Sequence, residues 1–345
     1  MYNTTKKFEK LKGKADSLVL GIESSCDDTA AAVVLGNKIL SSVVASQIDI
    51  HQRFGGVVPE IASRNHLLET IPVIDEALKK ANITLDQIDA IAVTYAPGLI
   101  GSLLVGVSAA KAISFSKNIP LIAVNHIEAH IAACFANEFD VQPPFLACVA
   151  SGGHTSIIDV LGYNKFIRLD GTLDDAIGEA FDKVGRVLGL PYPGGPNIDK
   201  LSKTGQANIR FTKSTGKNSI SYSGLKTAVI NYVHNLRQKG DKINIADICA
   251  SFNKEAADML VNTILEAAKK GGDGGVIVLA GGVAANSYLR GELIRRAGDG
   301  FKVVIPPLDL CGDNAAMVAI RGFYAAHEGQ GLAGLELNAK SVTGF

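Results

Sequence analysis

A chain of 345 residues can hold two compact lobes of about 150 to 200 residues each, with a substantial buried core. Its 34 lysines and arginines balance 34 aspartates and glutamates, so no whole-molecule field draws it onto nucleic acid or a membrane. Five scattered cysteines (Cys26, Cys134, Cys148, Cys249 and Cys311), odd in number and without CxxC spacing, argue against a disulfide framework and for free thiols in a reducing cytosol.

Residues 1–17 are lysine-rich, have no apolar run of the signal-peptide kind, and read as a flexible tail of a cytoplasmic protein. From Leu18 an apolar strand runs into Glu23-Ser24-Ser25-Cys26-Asp27-Asp28, and a second apolar strand continues to Gly36. The pattern returns 126 residues later without a gap: Leu20 to Thr29 lies over Leu146 to Thr155, and Val34-Leu35-Gly36 over Val160-Leu161-Gly162. A repeat of that length is too long for a solenoid and predicts two homologous α/β lobes. They are expected at 18–140 and 141–345, the second with a basic insertion near 200–240.

After the first hairpin, Pro59 to Ala81 carries apolar residues at helical spacing. Ala90 to Thr94 reads as a buried strand leading into a helix from about Leu99 to Ser116. Residues 90–110 carry no charge, but Pro97, Gly98, Gly101 and Gly106 interrupt them, so strand, turn and buried helix fit better than a membrane span. Leu121 to Val124 is a further strand, and His126-Ile127-Glu128-Ala129-His130 follows it. Histidines at i and i+4 share a helical face, their Cβ atoms about 6 Å apart, so both imidazoles can reach one divalent metal. The competing reading is a pair of satisfied core histidines. The protease pattern HExxH is absent: the glutamate is third in the run and faces away from such a metal. Among acidic residues at strand ends, Asp313 in Leu310-Cys311-Gly312-Asp313-Asn314 stands out as a third ligand.

In the second half, Ser151-Gly152-Gly153 is either an ordinary hairpin turn or a place where bare backbone N–H groups meet a phosphate. Asp27 and Asp28 occupy the equivalent turn of the first half, where carboxylates either form Asx turns or assist phosphate chemistry. Helices are read over Asp174 to Leu188 and Ile245 to Lys270. Asp182 and the run Gly194-Gly195-Pro196-Asn197-Ile198-Asp199 add polar groups near a loop, readable equally as surface. Val276 to Leu279 enters Ala280-Gly281-Gly282, and a helix starts near Asn286, offering a second anion-binding turn. Neither glycine turn matches GxxxxGK[ST] or GxGxxG. Val303 to Ile305 is the last clear strand. Between Lys200 and Gly240 lie Lys200, Lys203, Arg210, Lys213, Lys217, Lys226, Arg237 and Lys239 with no acidic residue, either a solvated face or a phosphate-backbone contact.

Together, Gly21 to Thr29, Gly56 to Arg64, His126 to His130, Ser151 to Thr155, Gly178 to Lys183, Tyr192 to Pro196, Ser223 to Ala228 and Gly281 to Asn286 closely resemble the bacterial TsaD family, in order, from about Leu18 to Tyr324. The resemblance implies an α/β actin-like ATPase fold, two duplicated RNase H-like lobes around a central cleft. It implies a tRNA N6-adenosine threonylcarbamoyltransferase that moves threonylcarbamoyl from threonylcarbamoyl-AMP to N6 of adenosine 37 in tRNAs reading codons that begin with A. Carried over, the metal ligands are His126, His130 and Asp313, for iron(II), with zinc(II) also fitting. Val149, Ala150, Ser151, Gly152, Gly153, Asp182, Gly195, Asp199 and Asn286 would hold the acyl-adenylate. Asp27 or Asp28 would take the amine proton, a role read from position. Expected partners are tRNA, a degenerate actin-like paralogue and a small P-loop ATPase, with no membrane. Two other readings stand beside this one: a small-molecule kinase of the same fold class, and a non-catalytic scaffold subunit of a tRNA-modifying complex.

Overall fold

The computed structural model describes residues 3–136, 139, 141–172, 174–211, 220–271 and 275–342. Its strands are β1 (Leu18–Glu23), β2 (Asp28–Leu35), β3 (Lys38–Ser46), β4 (Ala90–Ala96), β5 (Leu121–Asn125), β6 (Phe145–Ala150), β7 (Thr155–Gly162), β8 (Lys165–Gly171), β9 (Val276–Ala280), β10 (Lys302–Val304) and β11 (Leu332–Ala333). The α-helices are α1 (Thr5–Glu9), α2 (Ile48–Gln52), α3 (Pro59–Ala81), α4 (Ile100–Lys117), α5 (His126–Ala132), α6 (Ile177–Val187), α7 (Gly194–Ser202), α8 (Tyr222–Lys239), α9 (Ile245–Gly271), α10 (Ser287–Ala297), α11 (Leu308–Cys311) and α12 (Ala315–His327).

One sheet runs β11-β5-β4-β1-β2-β3 and the other β10-β9-β6-β7-β8. Apart from β11, the orders are the same: an antiparallel meander of three strands with two parallel strands added beside its first. Even the register repeats, because Leu20 pairs with Val33 and Leu146 with Asp159, both shifted by 126. The copies diverge after the meander. Leu20 pairs with Ile91, 71 residues on, whereas Leu146 pairs with Ile277, 131 residues on. The difference is α6, α7 and α8, inserted before α9, which leads into β9 as α3 leads into β4.

Both faces of each sheet are covered, which is why β2 and β6 are continuous apolar runs while the edge strand β3 alternates. A core on the outer face of the first sheet joins Leu20, Ile22 and Ile91 to α3 and α4. The second sheet packs Cys148, Ile157 and Ile277 against α6, α8 and α9. The third core lies between the sheets, and Val19, Ile122, Val149 and Val278 meet there around α5 and α12.

The last long helix crosses over. Helix α5 lies between the sheets, against β5 and β4 of the first and β6 and β9 of the second, whereas α12 follows the second sheet but packs on β1, β4 and β2 of the first. Strand β11 then pairs with β5. Residues 315–333, although they follow the second sheet, sit with the first. The expected flexible tail carries α1, whose Phe8 is buried with Leu11 in the central core.

Candidate metal centre and glycine cradle

Asn125 sets the position of the histidine helix. Its Oδ1 accepts from the N–H of Ile127 at 2.8 Å and of Glu128 at 3.3 Å, so α5 starts at His126 and His130 falls one turn later. Ile127, Ile131 and Ala132 are buried on the core side, and the ring centroids of His126 and His130 lie 4.6 Å apart. Asp313 reaches them from the loop between α11 and α12. Asn314 fixes that loop: its Oδ1 accepts from Met317 N–H at 3.0 Å and its Nδ2 donates to Gly312 O at 2.9 Å. Asp313 Oδ1 is 3.2 Å from His130 Nε2 and 3.5 Å from His126 Nε2, and one ligand atom from each residue lies within 4.8 Å of the others.

The electrostatics match the geometry. Burial opposes charge on His126, but Glu23 and Asp313 outweigh it and push the imidazole up to about 9. Burial also opposes charge on Asp313, and the neighbouring His126 and His130 hold its carboxyl well below the usual range. Both ring nitrogens of His130 are buried with no hydrogen bond assigned to them. Such a group costs about 1–3 kcal/mol unless something coordinates it. Two imidazoles and a carboxylate suit a divalent first-row transition metal, and the orphaned His130 nitrogens fit a role as its ligand.

Behind His126 stands Glu23, fully buried at the end of β1. Its Oε1 accepts from Ser25 N–H at 2.6 Å, and its Oε2 accepts from Thr94 Oγ1 at 2.6 Å and lies 3.1 Å from His126 Nδ1. Burial raises this carboxyl, but the His126 charge and hydrogen bond win and leave it below its ordinary value. Sequence reasoning gave Glu23 no role. The available signal was an acid closing a strand that is otherwise apolar.

The second-half turn is a tight hairpin, with Ser151 N–H donating to His154 O at 2.8 Å and Ser151 Oγ accepting from His154 N–H at 3.2 Å. A Cβ added at Gly152 or Gly153 would meet nothing within 4 Å, so the turn faces open space. Other glycines pack. A Cβ on Gly178 would come 2.6 Å from Ser151 O, and one on Gly281, at φ +91°, would come 2.4 Å from Ala150 O. Val149 and Ala150 bury their side chains completely in the two cores, so only their backbone reaches the turn. At the turn's end, His154 is pushed down to about 4 by burial and then by the charges of His126 and His130.

Asp182, Gly195, Asp199 and Asn286 converge through α7. Asp182 Oδ1 accepts from Gly194 N–H at 2.7 Å, and burial lifts its carboxyl to about 6 despite that bond. Asp199 Oδ1 accepts from Ser287 Oγ at 2.9 Å and from Asn253 Nδ2 at 3.3 Å, and Asn286 Nδ2 donates to Asn253 Oδ1 at 2.7 Å. Asn253, buried in the middle of α9, joins Asp199 to Asn286, a link that sequence reasoning missed.

In the first-half turn, Asp27 Oδ2 accepts from Tyr192 Oη at 3.2 Å. Asp28 begins β2 with Oδ1 buried and unpaired, and burial, followed by the charge of Asp313, raises it to about 7. His66 braces this turn from α3, its Nδ1 2.7 Å from Thr29 Oγ1 and its Nε2 2.9 Å from Cys26 O. The basic stretch is partly spoken for. Lys226 pairs with Asp175, Lys203 with Asp199, and Arg237 donates to Val187 O. Lys200, Arg210 and Lys239 are exposed, and Lys213 and Lys217 lie outside the described residues. All five cysteines are free thiols, and among the described residues no helix is long and apolar enough to cross a membrane.

Comparison with known proteins gives the same picture. Among solved structures, HypF in its phosphate- and nucleotide-bound form is similar at TM-score 0.61 and 15% identity, covering 91% of this chain and 47% of that one. Component A of the (R)-2-hydroxyglutaryl-CoA dehydratase of Acidaminococcus fermentans is similar at TM-score 0.54 and 15% identity, covering 90% and 99%. These likenesses show the fold, that of the actin-like ATPases. Proteins named tRNA N6-adenosine threonylcarbamoyltransferase are far closer in sequence. The one from Listeria monocytogenes serotype 4b is 50% identical over 94% of this chain and 96% of its own length. The one from Clostridium botulinum strain Kyoto is 51% identical over 93% and 96%. The model of the family described as "TsaD: tRNA N6-adenosine threonylcarbamoyltransferase" matches residues 38–320, and the chain belongs to that family.

Proposed function

We propose that this chain forms threonylcarbamoyladenosine, transferring the threonylcarbamoyl group of threonylcarbamoyl-AMP to N6 of adenosine 37 in tRNAs that read codons beginning with A. A bond forms between N6 and the carbamoyl carbon, the bond from that carbon to the phosphate oxygen breaks, AMP leaves and N6 loses one proton. His126, His130 and Asp313 would hold the metal, iron(II) or zinc(II). When bound there, such an ion supplies stabilisation for charge developing on the donor's carbonyl or phosphate oxygens.

The chain's own groups would do the rest. The bare backbone of Ser151, Gly152 and Gly153 would take the phosphate, with the ends of β6 at Val149 and Ala150 fixing the turn. Asp182, Gly195, Asp199 and Asn286 would orient the nucleoside. Because the donor is already an activated mixed anhydride and the amine is weakly nucleophilic, placement carries much of the acceleration. Asp27 or Asp28, at the end of the first-half turn, would accept the N6 proton. The resemblance also supports a degenerate actin-like paralogue and a small P-loop ATPase as partners. Free thiols support a cytoplasmic setting.

The observation that carries this reading is the intact His126–His130–Asp313 cluster in a chain of this family. A degenerate scaffold lacks the histidine pair, and a kinase does not need it. The test supplies threonylcarbamoyl-AMP and unmodified tRNA and measures the modified nucleoside. Wild type should form it and His126→Ala should lose about a hundredfold or more in rate; no product from wild type overturns the reading. In single turnover, unchanged rates for both Asp27→Asn and Asp28→Asn would remove the proposed proton acceptor.

A further inference from the structure

We infer that Glu23 is the positioning residue of the metal centre: it holds the His126 ring with Nδ1 protonated, so that Nε2 presents its lone pair to the ion. This rests on the metal reading above and adds a residue outside the ligand set. Glu23 Oε2 is 3.1 Å from His126 Nδ1, while His126 Nε2 points the other way, toward Asp313 at 3.5 Å. A carboxylate can only accept, so the proton of that contact belongs to Nδ1. Ser25 Oγ, 3.2 Å from the same nitrogen, is a hydroxyl that accepts or donates and so imposes no tautomer of its own. The carboxylate cannot turn away, because Ser25 N–H fixes Oε1 and the Thr94 hydroxyl fixes Oε2, both at 2.6 Å. The group has no exposed surface, so water cannot replace either donor. A carboxylate behind a metal-binding imidazole sets its tautomer and orientation and raises its basicity.

Glutamine is nearly the same shape and separates this role from packing. If its amide nitrogen faces Nδ1, the imidazole proton is driven to Nε2, where it blocks the metal. If that nitrogen faces Ser25 N–H instead, two donors meet. The full-length chain, stripped with a chelator, is titrated with cobalt(II) and followed by its ligand-field absorption. Glu23→Gln should bind about 10–100-fold more weakly than wild type. Glu128→Gln is the control: it removes a carboxylate from the same helix, one paired with Arg321 at 2.7 Å, without touching either imidazole, and should bind nearly as wild type does. Equal affinity for wild type and Glu23→Gln overturns the inference, and so does an equal loss in Glu128→Gln. A wild type that binds no cobalt overturns the metal reading itself and this inference with it. A second measurement needs no variant: imidazole nitrogen resonances of the zinc-loaded wild type should show His126 protonated at Nδ1, and a proton on Nε2 overturns the assignment.

Discussion

The turns after β1 and β6 share one backbone plan and carry opposite chemistry. The 126-residue shift sets Glu23 against Val149, Asp27 against Gly153, Asp28 against His154 and Thr29 against Thr155. The first turn is dense with side chains: Glu23 grips His126, His66 grips Thr29 and Cys26 O, and Tyr192 grips Asp27. The second is bare, and its glycines look onto open space. Thr155 also shows the difference, since its Oγ1 accepts from the first N–H of α6 at 3.0 Å and so braces a helix, not a histidine. Duplication supplied two equivalent strand ends. One end carries charge and the other bare glycines, so equivalent places in the fold offer different chemistry.

Breaking the brace of the first turn should have the largest effect. His66→Ala removes a buried ring and strands the Thr29 hydroxyl, which should cost about 3 kcal/mol in urea unfolding. A loss below about 1 kcal/mol would mean that the turn does not depend on α3. On the glycine side the charged anchor is Asp182, and its signature is pH dependence. Its folded value, near 6, lies above its unfolded value near 4. The carboxyl therefore favours the folded state most below pH 4, and that contribution is lost as the pH rises through 6. Asp182→Asn should erase the decline, gaining about 2 kcal/mol on wild type at pH 8 relative to pH 4 in thermal or urea unfolding; parallel pH curves would rule it out. The smallest effect belongs to the bare glycines. Gly152→Ala and Gly153→Ala should each leave stability within about 0.5 kcal/mol of wild type while weakening donor binding. A large stability loss there would make the turn a packing element like Gly178.

The repeat was legible because two continuous apolar strands with polar turns align at one fixed offset, and sheets covered on both faces demand such strands. The histidine pair was legible because i, i+4 spacing dictates a shared helical face, and Asp313 because an acid after Cys311-Gly312 interrupts an apolar context. Other features depend on tertiary partners. Helix α7 opens on Gly194-Gly195-Pro196, which reads as a turn, and it holds in part because Asp182 takes the Gly194 N–H. Asn253 looks like any polar residue in a long helix until Asp199 and Asn286 arrive from elsewhere. Nothing local in Ala315 to His327 says which sheet it covers. Its apolar faces suit either one, and only the assembled core chooses.

The crossing of α12 also sets an order in time. His126 and His130 are synthesised early, but the third ligand is residue 313 of 345, and α12 follows directly after it. A growing chain that has already emerged through β5 still lacks the helix that covers Val19, Ala90 and Ala92 on β1 and β4. A helix from the second half closes the sheet of the first. The ligand cluster and the cover of that sheet are therefore both completed by one stretch, residues 313–327.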